Sequence, residues 1–156
     1  MSDDLSAFEA WAGALLAKLS PAKRRAALVD IARTIRRSQA ARIASQANPD
    51  GTPYEPRKRG DSKRPGARSH AGRIRRQAMF AKLRTTRWLK VETESDGVSI
   101  GFTGRVAQIA TVHQEGGDAP VVPGGPTYRY PRRVLLGFTS TDRDTIRDRL
   151  LAHLSP

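Results

Sequence analysis

The stretch SPAKRRAALVDIARTIRRSQAARIASQANPDG, residues 20–51, constrains the fold most, because it is punctuated at both ends. Ser20 suits an N-cap, and Pro21 falls at the first helical position, where its missing N–H costs nothing. Leu28, Ile31, Ala32 and Ile35 recur at helical spacing, and Ile43 extends the stripe. Asn48-Pro49-Asp50-Gly51 stops the helix and turns the chain. Arg33, Arg36 and Arg37 fall on the other side of this helix, as a solvated face or a contact surface.

The neighbouring segments read as an α+β chain. Residues 6–19 are predicted helical, with Ser6 and Glu9 at capping-box spacing and Phe8, Trp11, Leu15 and Leu19 on one stripe. That helix is read as a packing helix, since its polar face lacks the Lys and Arg of a membrane-surface helix. A third helix is expected over about 71–84, with Ile74, Ala78 and Leu83 inward and Met79 and Phe80 near that face. RWLKVETESDGVSIGF alternates in polarity around Asp96-Gly97, a hairpin signal. TGRVAQIATVHQEGG returns to helical period. Thr103 is its cap, Val106, Ile109, Ala110 and His113 share a face, and Gly116-Gly117 ends it. RRVLLGF is expected to be a strand, and STDRDTIRDRLLAHL a helix with Ile146, Leu150 and Leu154 buried and Asp142 and Asp144 in its first turn. The expectation is N-terminal helices, a β-hairpin plus one further strand in a small antiparallel or mixed sheet, and a C-terminal helix. With 156 residues the chain fits one domain.

Two segments read as exposed loops. One is basic, about 48–70, including PYEPRKRGDSKRPGARS, where Pro and Gly interrupt any helix or strand and like charges repel. The other, about 116–127, is rich in Gly and Pro. The net charge is +13. Residues 21–90 hold 20 Lys or Arg against Asp30, Asp50, Glu55 and Asp61, a local net of +16, and the remainder is slightly acidic. Such a block attracts polyanions or an acidic protein surface.

Signatures of chemistry are missing. The chain has no cysteine, which excludes disulfides, thiolate metal sites and cysteine nucleophiles. His70, His113 and His153 are scattered, without metal-ligand spacing. No strand-to-helix nucleophile elbow of the Gly-x-Ser-x-Gly type appears, since the string Gly97-Val98-Ser99-Ile100-Gly101 falls within the alternating hairpin segment, and there is no phosphate-binding Gly-x-x-x-x-Gly-Lys loop and no dinucleotide fingerprint. Neither a catalytic site nor a cofactor is expected. No apolar run reaches the ~18 residues that span a bilayer, and the acidic start differs from the basic start of a signal peptide. The expected location is a cytoplasm. Zinc-finger, leucine-zipper and aromatic RNA-binding signatures are absent. Phe80 and Trp88 read as core, which leaves sequence-independent phosphate attraction. Arg-Gly-Asp at 59–61 is a coincidence within an arginine-rich loop.

Four stretches together carry a resemblance: ARIASQANPDGTPYEPRK, MFAKLRTTRWLKVE, VSIGFTGRVAQIATVHQEGG and YPRRVLLGFTSTDRDTIRDRLLAHL. In this order they resemble the phage virion morphogenesis family, over about residues 5–154. After His113-Gln114 this chain has Glu115-Gly116, where the family usually carries a bulky residue. The resemblance implies a structural, non-enzymatic protein of tail completion and head–tail joining. Its partners would be other tail and head–tail connector proteins, within the host cytoplasm during assembly and in the virion tail. It also implies a homo-oligomer, with a ring at the head-proximal tail end as one form, and DNA passing nearby. The contact candidates are Arg33, Arg36, Arg37, Arg57, Lys58, Arg59, Lys63, Arg64, Arg68, His113, Gln114, Glu115, Arg129, Arg132 and Arg133. The alternative is a nonspecific nucleic-acid-binding protein that uses block 21–90.

Overall fold

A computed structural model of the chain describes residues 2–57, 78–95 and 97–155. The chain forms two compact units: Met1–Ser38 with Lys90–Gly101 and Phe138–Pro156, and Gln39–Leu89 with Phe102–Gly137. Helix α1 is Ser2–Leu16 and α2 is Pro21–Ala44. Strands β1 (Leu89–Thr93) and β2 (Val98–Phe102) form a two-stranded sheet. A 3₁₀ turn, Gly104–Val106, leads into α3, Ala107–Glu115. Strands β3 (Gly117–Pro120) and β4 (Thr127–Tyr130) pair antiparallel, and α4 is Ser140–Leu154. The α+β class is that expected from the sequence. Among the described residues no helix is long and apolar enough to cross a membrane.

The first unit is built on the apolar stripe of α2. Ile31, Ile35 and Leu150 form its buried centre, and Trp11, Ala12, Leu16, Ile100 and Ile146 pack around them. Helix α1 starts before Ser6, so the Ser6–Glu9 spacing marks no cap. The start of α4 is fixed instead by a capping box that joins Thr139 and Asp142. Asp142 N–H donates to Thr139 Oγ1 at 3.0 Å, and Thr139 N–H to Asp142 Oδ2 at 3.0 Å. Ser38 Oγ also donates to Asp142 Oδ1, so the buried carboxylate has partners on both oxygens. Arg149 grips Asp30 with contacts of 2.9 and 2.7 Å, and this hydrogen bond is the main cause holding the Asp30 carboxyl below its ordinary pKa.

In the second unit Ile43, Tyr54, Ala110 and Leu135 are buried together, with Met79, Phe80, Leu83 and Phe102 against them. The last turns of α2 supply Ile43, as its period predicts. Ala110 is buried on α3, whereas Ile109, expected inward, is 51% exposed. The Asn48–Gly51 turn forms as read: Gly51 N–H donates to Asn48 O at 3.0 Å, and Gly51 has φ +85°, a conformation that favours glycine. Of the expected basic loop, residues 48–57 are held here, with Tyr54 at 4% exposure, and 58–70 lie beyond the described residues. The expected third helix lies outside them over 71–77, and its described end, 79–84, is a run of turns.

The largest departure concerns strands. RRVLLGF is not a strand, and the chain bends at Leu136. Instead, side chains satisfy every backbone N–H and C=O from Val134 to Gly137. Val134 N–H donates to Asn48 Oδ1, and Val134 O accepts from Arg42 Nη1 and Tyr54 Oη. Leu135 N–H and Leu136 N–H share Gln114 Oε1, while Gln114 Nε2 donates to Leu136 O at 2.8 Å. Arg42 Nη2 donates to Leu135 O, and Gln39 bonds both polar backbone groups of Gly137. Gly137 is required by packing, since a Cβ there would lie 2.7 Å from Pro49 Cγ. The second departure is that the expected Gly/Pro-rich loop contains the β3–β4 hairpin, in register Gly117↔Tyr130 through Pro120↔Thr127. Prolines confined to a strand end and the turn do not interrupt a two-stranded ribbon.

Gln114→Ala leaves three backbone groups without partners, which costs roughly 3 kcal/mol or more, taking the low end of about 1–3 kcal/mol per unsatisfied group because Leu136 is only half-buried. Urea unfolding should show this as a lower midpoint at unchanged slope. Arg37→Ala, on an exposed face, should stay within about 0.5 kcal/mol.

Candidate interaction site

Three sequence segments meet in the second unit: Met79-Phe80, His113 on α3, and strand β4 with the chain just beyond it. They border a cavity of about 270 Å³, lined by Arg57, Met79, Phe80, His113, Tyr128, Tyr130 and Arg133. Its aromatic rings form a chain of edge-to-face contacts. Centroid separations are 5.8 Å for Tyr54–Phe80, 4.8 Å for Phe80–His113, 5.1 Å for His113–Tyr130 and 4.9 Å for Tyr130–Tyr128. This geometry sets the positive edge of one ring against the negative face of the next.

The wall at Phe80 is held under backbone strain. Phe80 has φ +63° and Gln46 has φ +57°, both in the left-handed region that bulky side chains avoid. The two positions are joined: Met79 N–H donates to Gln46 Oε1 at 2.7 Å, and Gln46 Nε2 donates back to Met79 O at 2.9 Å. A side-chain amide thus stands in for a backbone partner and fixes the chain that carries the Phe80 ring.

Arg133 is the polar centre, at 3% exposure. Its Nε donates to Glu55 O at 2.8 Å and its Nη2 to Pro56 O at 3.0 Å. Its Nη1 lies 3.1 Å from His113 Nδ1. A guanidinium only donates, so Nδ1 accepts, and a neutral imidazole carries its proton on Nε2. Burial, reinforced by the charges of Arg133 and Arg57, pushes the His113 pKa down to about 4. Burial also lowers the pKa of Arg133, opposed by the Glu55 carboxylate. Arg133 N–H donates to His113 O, which ties β4's exit to α3 a second time. The arrangement offers hydrogen bonds and aromatic surface. Among the described residues no group of His, Asp or Glu is placed to hold a metal ion.

The sequence candidates therefore divide. His113, Arg133 and Arg57 meet at the cavity. Gln114 points instead at the 135–136 backbone, as a structural clamp. Glu115 and Arg129 are exposed. Arg132 is exposed too, and its Nε reaches Gln114 O at 3.3 Å. Its backbone passes close to Gly116, which has φ +73° and whose added Cβ would sit 3.1 Å from Arg132 N. On α2, Arg33 and Arg37 are exposed and Arg36 is half-buried, all within the first unit and not at the cavity. Lys58, Arg59, Lys63, Arg64 and Arg68 lie outside the described residues. Sequence reasoning missed Tyr128 and Tyr130, although their alternate spacing in TYRY is the period of a strand face. Trp88, read as core, belongs to neither buried cluster and is half-exposed.

With this architecture in view, the chain's class is clear: it belongs to the phage virion morphogenesis family, whose model matches residues 3–155. It is 38% identical over 153 residues to the tail completion protein S of Escherichia phage P2, a match covering 97% of this chain and 98% of that protein. No solved structure matches.

Because the folded His113 titrates near 4 and the unfolded one near its ordinary 6.5, the unfolded chain binds the extra proton between those values. Stability from this group is complete above about pH 6.5 and falls as pH drops toward 4, by roughly 3 kcal/mol in all. Urea midpoints at pH 7, 5.5 and 4.5 should record the loss. His113→Gln, which can still accept from Arg133, should flatten that part of the profile.

Proposed function

We propose that this protein is a structural component that completes the phage tail and readies its head-proximal end for joining to the capsid. The similarity to tail completion protein S along nearly the full length of both chains carries this reading. A non-enzymatic role fits a cavity built from aromatic rings, a neutral imidazole and an arginine already bound to carbonyls. In this reading the whole chain acts as one tail-completion module and works as a homo-oligomer, with a ring as the form suited to a tubular tail. Its partners are the neighbouring tail and head–tail connector proteins, and it resides in the host cytoplasm during assembly and in the virion tail afterwards.

The exposed tip of the β3–β4 hairpin is the contact we assign to assembly. Val121 and Val122 are 58% and 57% exposed. Gly125 packs so closely that an added Cβ would lie 2.6 Å from Val122 Cγ2, and Gly124 has φ +72°. The turn is therefore shaped to hold two apolar side chains outward. Residues 119–128 carry no charge in a chain of net +13, so copies can approach there with least repulsion.

A phage lacking this gene should accumulate separate heads and tails, visible by electron microscopy. Normal particles with an early DNA defect would instead favour the nucleic-acid-binding alternative, which rests on the charge of block 21–90. Complementation with Val121→Asp/Val122→Asp should lower particle yield at least tenfold while the purified variant keeps its thermal midpoint. Yield equal to wild type would remove the hairpin tip from assembly, and a strict monomer at all concentrations would count against the ring.

A further inference from the structure

The positive charge of the chain is unevenly shared. The second unit contains 17 Lys or Arg and 5 Asp or Glu, a net of +12, whereas the first is close to neutral. Within the second unit the described cations do different things. Arg42 and Arg133 are committed to backbone carbonyls. Arg87 and Arg105 are exposed and share one platform: their guanidinium carbons lie 4.8 and 5.8 Å from the centroid of the Trp88 ring.

Backbone hydrogen bonds hold the chain that carries that platform. Trp88 N–H donates to Thr85 O at 3.0 Å, Thr103 N–H donates to Trp88 O at 3.0 Å, and Arg84 N–H is tied to Phe80 O. Gly104, at φ +69°, runs against the indole, where an added Cβ would lie 3.4 Å from Trp88 Cζ3. Glycine at this point lets the chain place Arg105 beside the same ring that carries Arg87. Lys82 and Arg84 are exposed on the preceding turns. Among the described residues, none of these four cations has a carboxylate within salt-bridge distance.

We infer that Trp88, Arg87 and Arg105, flanked by Lys82 and Arg84, form a sequence-independent contact for the phosphate backbone of double-stranded DNA. Cation–π contact orients a guanidinium without using its N–H groups, so both forks remain free for the bidentate bonding that phosphate accepts. The two guanidiniums lie over the indole and so compete with base stacking, the device that single-strand binders use. A duplex repeats its charges at ~1.7 Å along the axis, so a short row of cations meets phosphates in any register. An acidic protein surface would have to match the row at fixed spacing.

The test uses the full-length protein and a fluorescent 30-base-pair duplex of arbitrary sequence, followed by anisotropy from about 50 to 200 mM salt. Wild type should bind, with affinity falling steeply as salt rises. Arg87→Ala/Arg105→Ala should weaken binding at least tenfold at low salt and flatten the log–log salt slope by about 2, one per lost phosphate contact. Trp88→Phe, which keeps a ring beneath the guanidiniums, should retain most of the affinity. Lys18→Ala/Lys23→Ala removes the same charge from exposed positions of the first unit and should change affinity less than twofold. Circular dichroism checks that each variant is folded. The assignment is overturned if wild type does not bind at 50 mM salt. It is equally overturned if the two double variants lose affinity alike, or if polyglutamate displaces the duplex as well as DNA of equal charge does.

Discussion

The second unit depends on the way residues 134–137 are held. A non-helical segment carrying Leu135 at zero exposure must place its N–H and C=O groups somewhere. In a sheet the neighbouring strands would take them. Here Gln39 and Arg42 from the end of α2, Asn48 from the turn, Tyr54, and Gln114 from α3 take all eight. The segment consequently has no open strand edge for another chain to pair with. Its two ends are fixed as well. Arg133 is delivered to His113 at one end, and Gly137 lies against Pro49 at the other.

That solution explains which parts of the fold are legible in the sequence. Period decides helices, so the stripe of α2 and the bounds of α4 can be read from Leu28–Ile43 and STDRDTIRDRLLAHL. RRVLLGF has the composition of a strand, but strand identity also needs a backbone partner, and composition does not report that the partners are side-chain amides, a guanidinium and a phenol. The β3–β4 hairpin misleads in the opposite way. Its Gly and Pro content argues for loop, although the prolines fall at Pro120, Pro123 and Pro126, at the end of one strand and in the turn, outside the middle of the ladder. The capping box of α4 is present in the letters as Thr139 and Asp142, and the helix-dipole reading of Asp142 and Asp144 hides it.

The candidate site is legible as residues and not as a site. His113 and Arg133 both stand out in the sequence, yet twenty positions separate them and nothing in one sequence says they touch. Phe80 reads as part of a helix face, and its left-handed backbone, imposed by the Gln46 clamp on Met79, has no local signature such as glycine. The aromatic pair Tyr128 and Tyr130 is hidden by the loop-like composition around it. Convergence of this kind is a property of tertiary packing, which is why a set of contacts drawn mainly from basic residues mixes a buried hub with surface charges.

Arginine serves three physical ends in this chain, and a net charge counts them as one. Arg42, half-buried, and Arg133, buried, act as multi-donor clamps for carbonyl oxygens, a task lysine performs poorly because its three donors sit on a single point. Arg149 makes a half-exposed two-contact ion pair with Asp30, a contact of modest energetic weight. Arg87 and Arg105 lie over an indole and are exposed. The clamps act on the fold whether or not a partner is near, because their N–H groups are spent on carbonyls. Arg87 and Arg105, exposed and without a carboxylate partner among the described residues, have donors left for an external anion. The charge relevant to recognition is therefore smaller than +13 and more local than the basic block suggests. It is set by which guanidiniums the backbone has left unused.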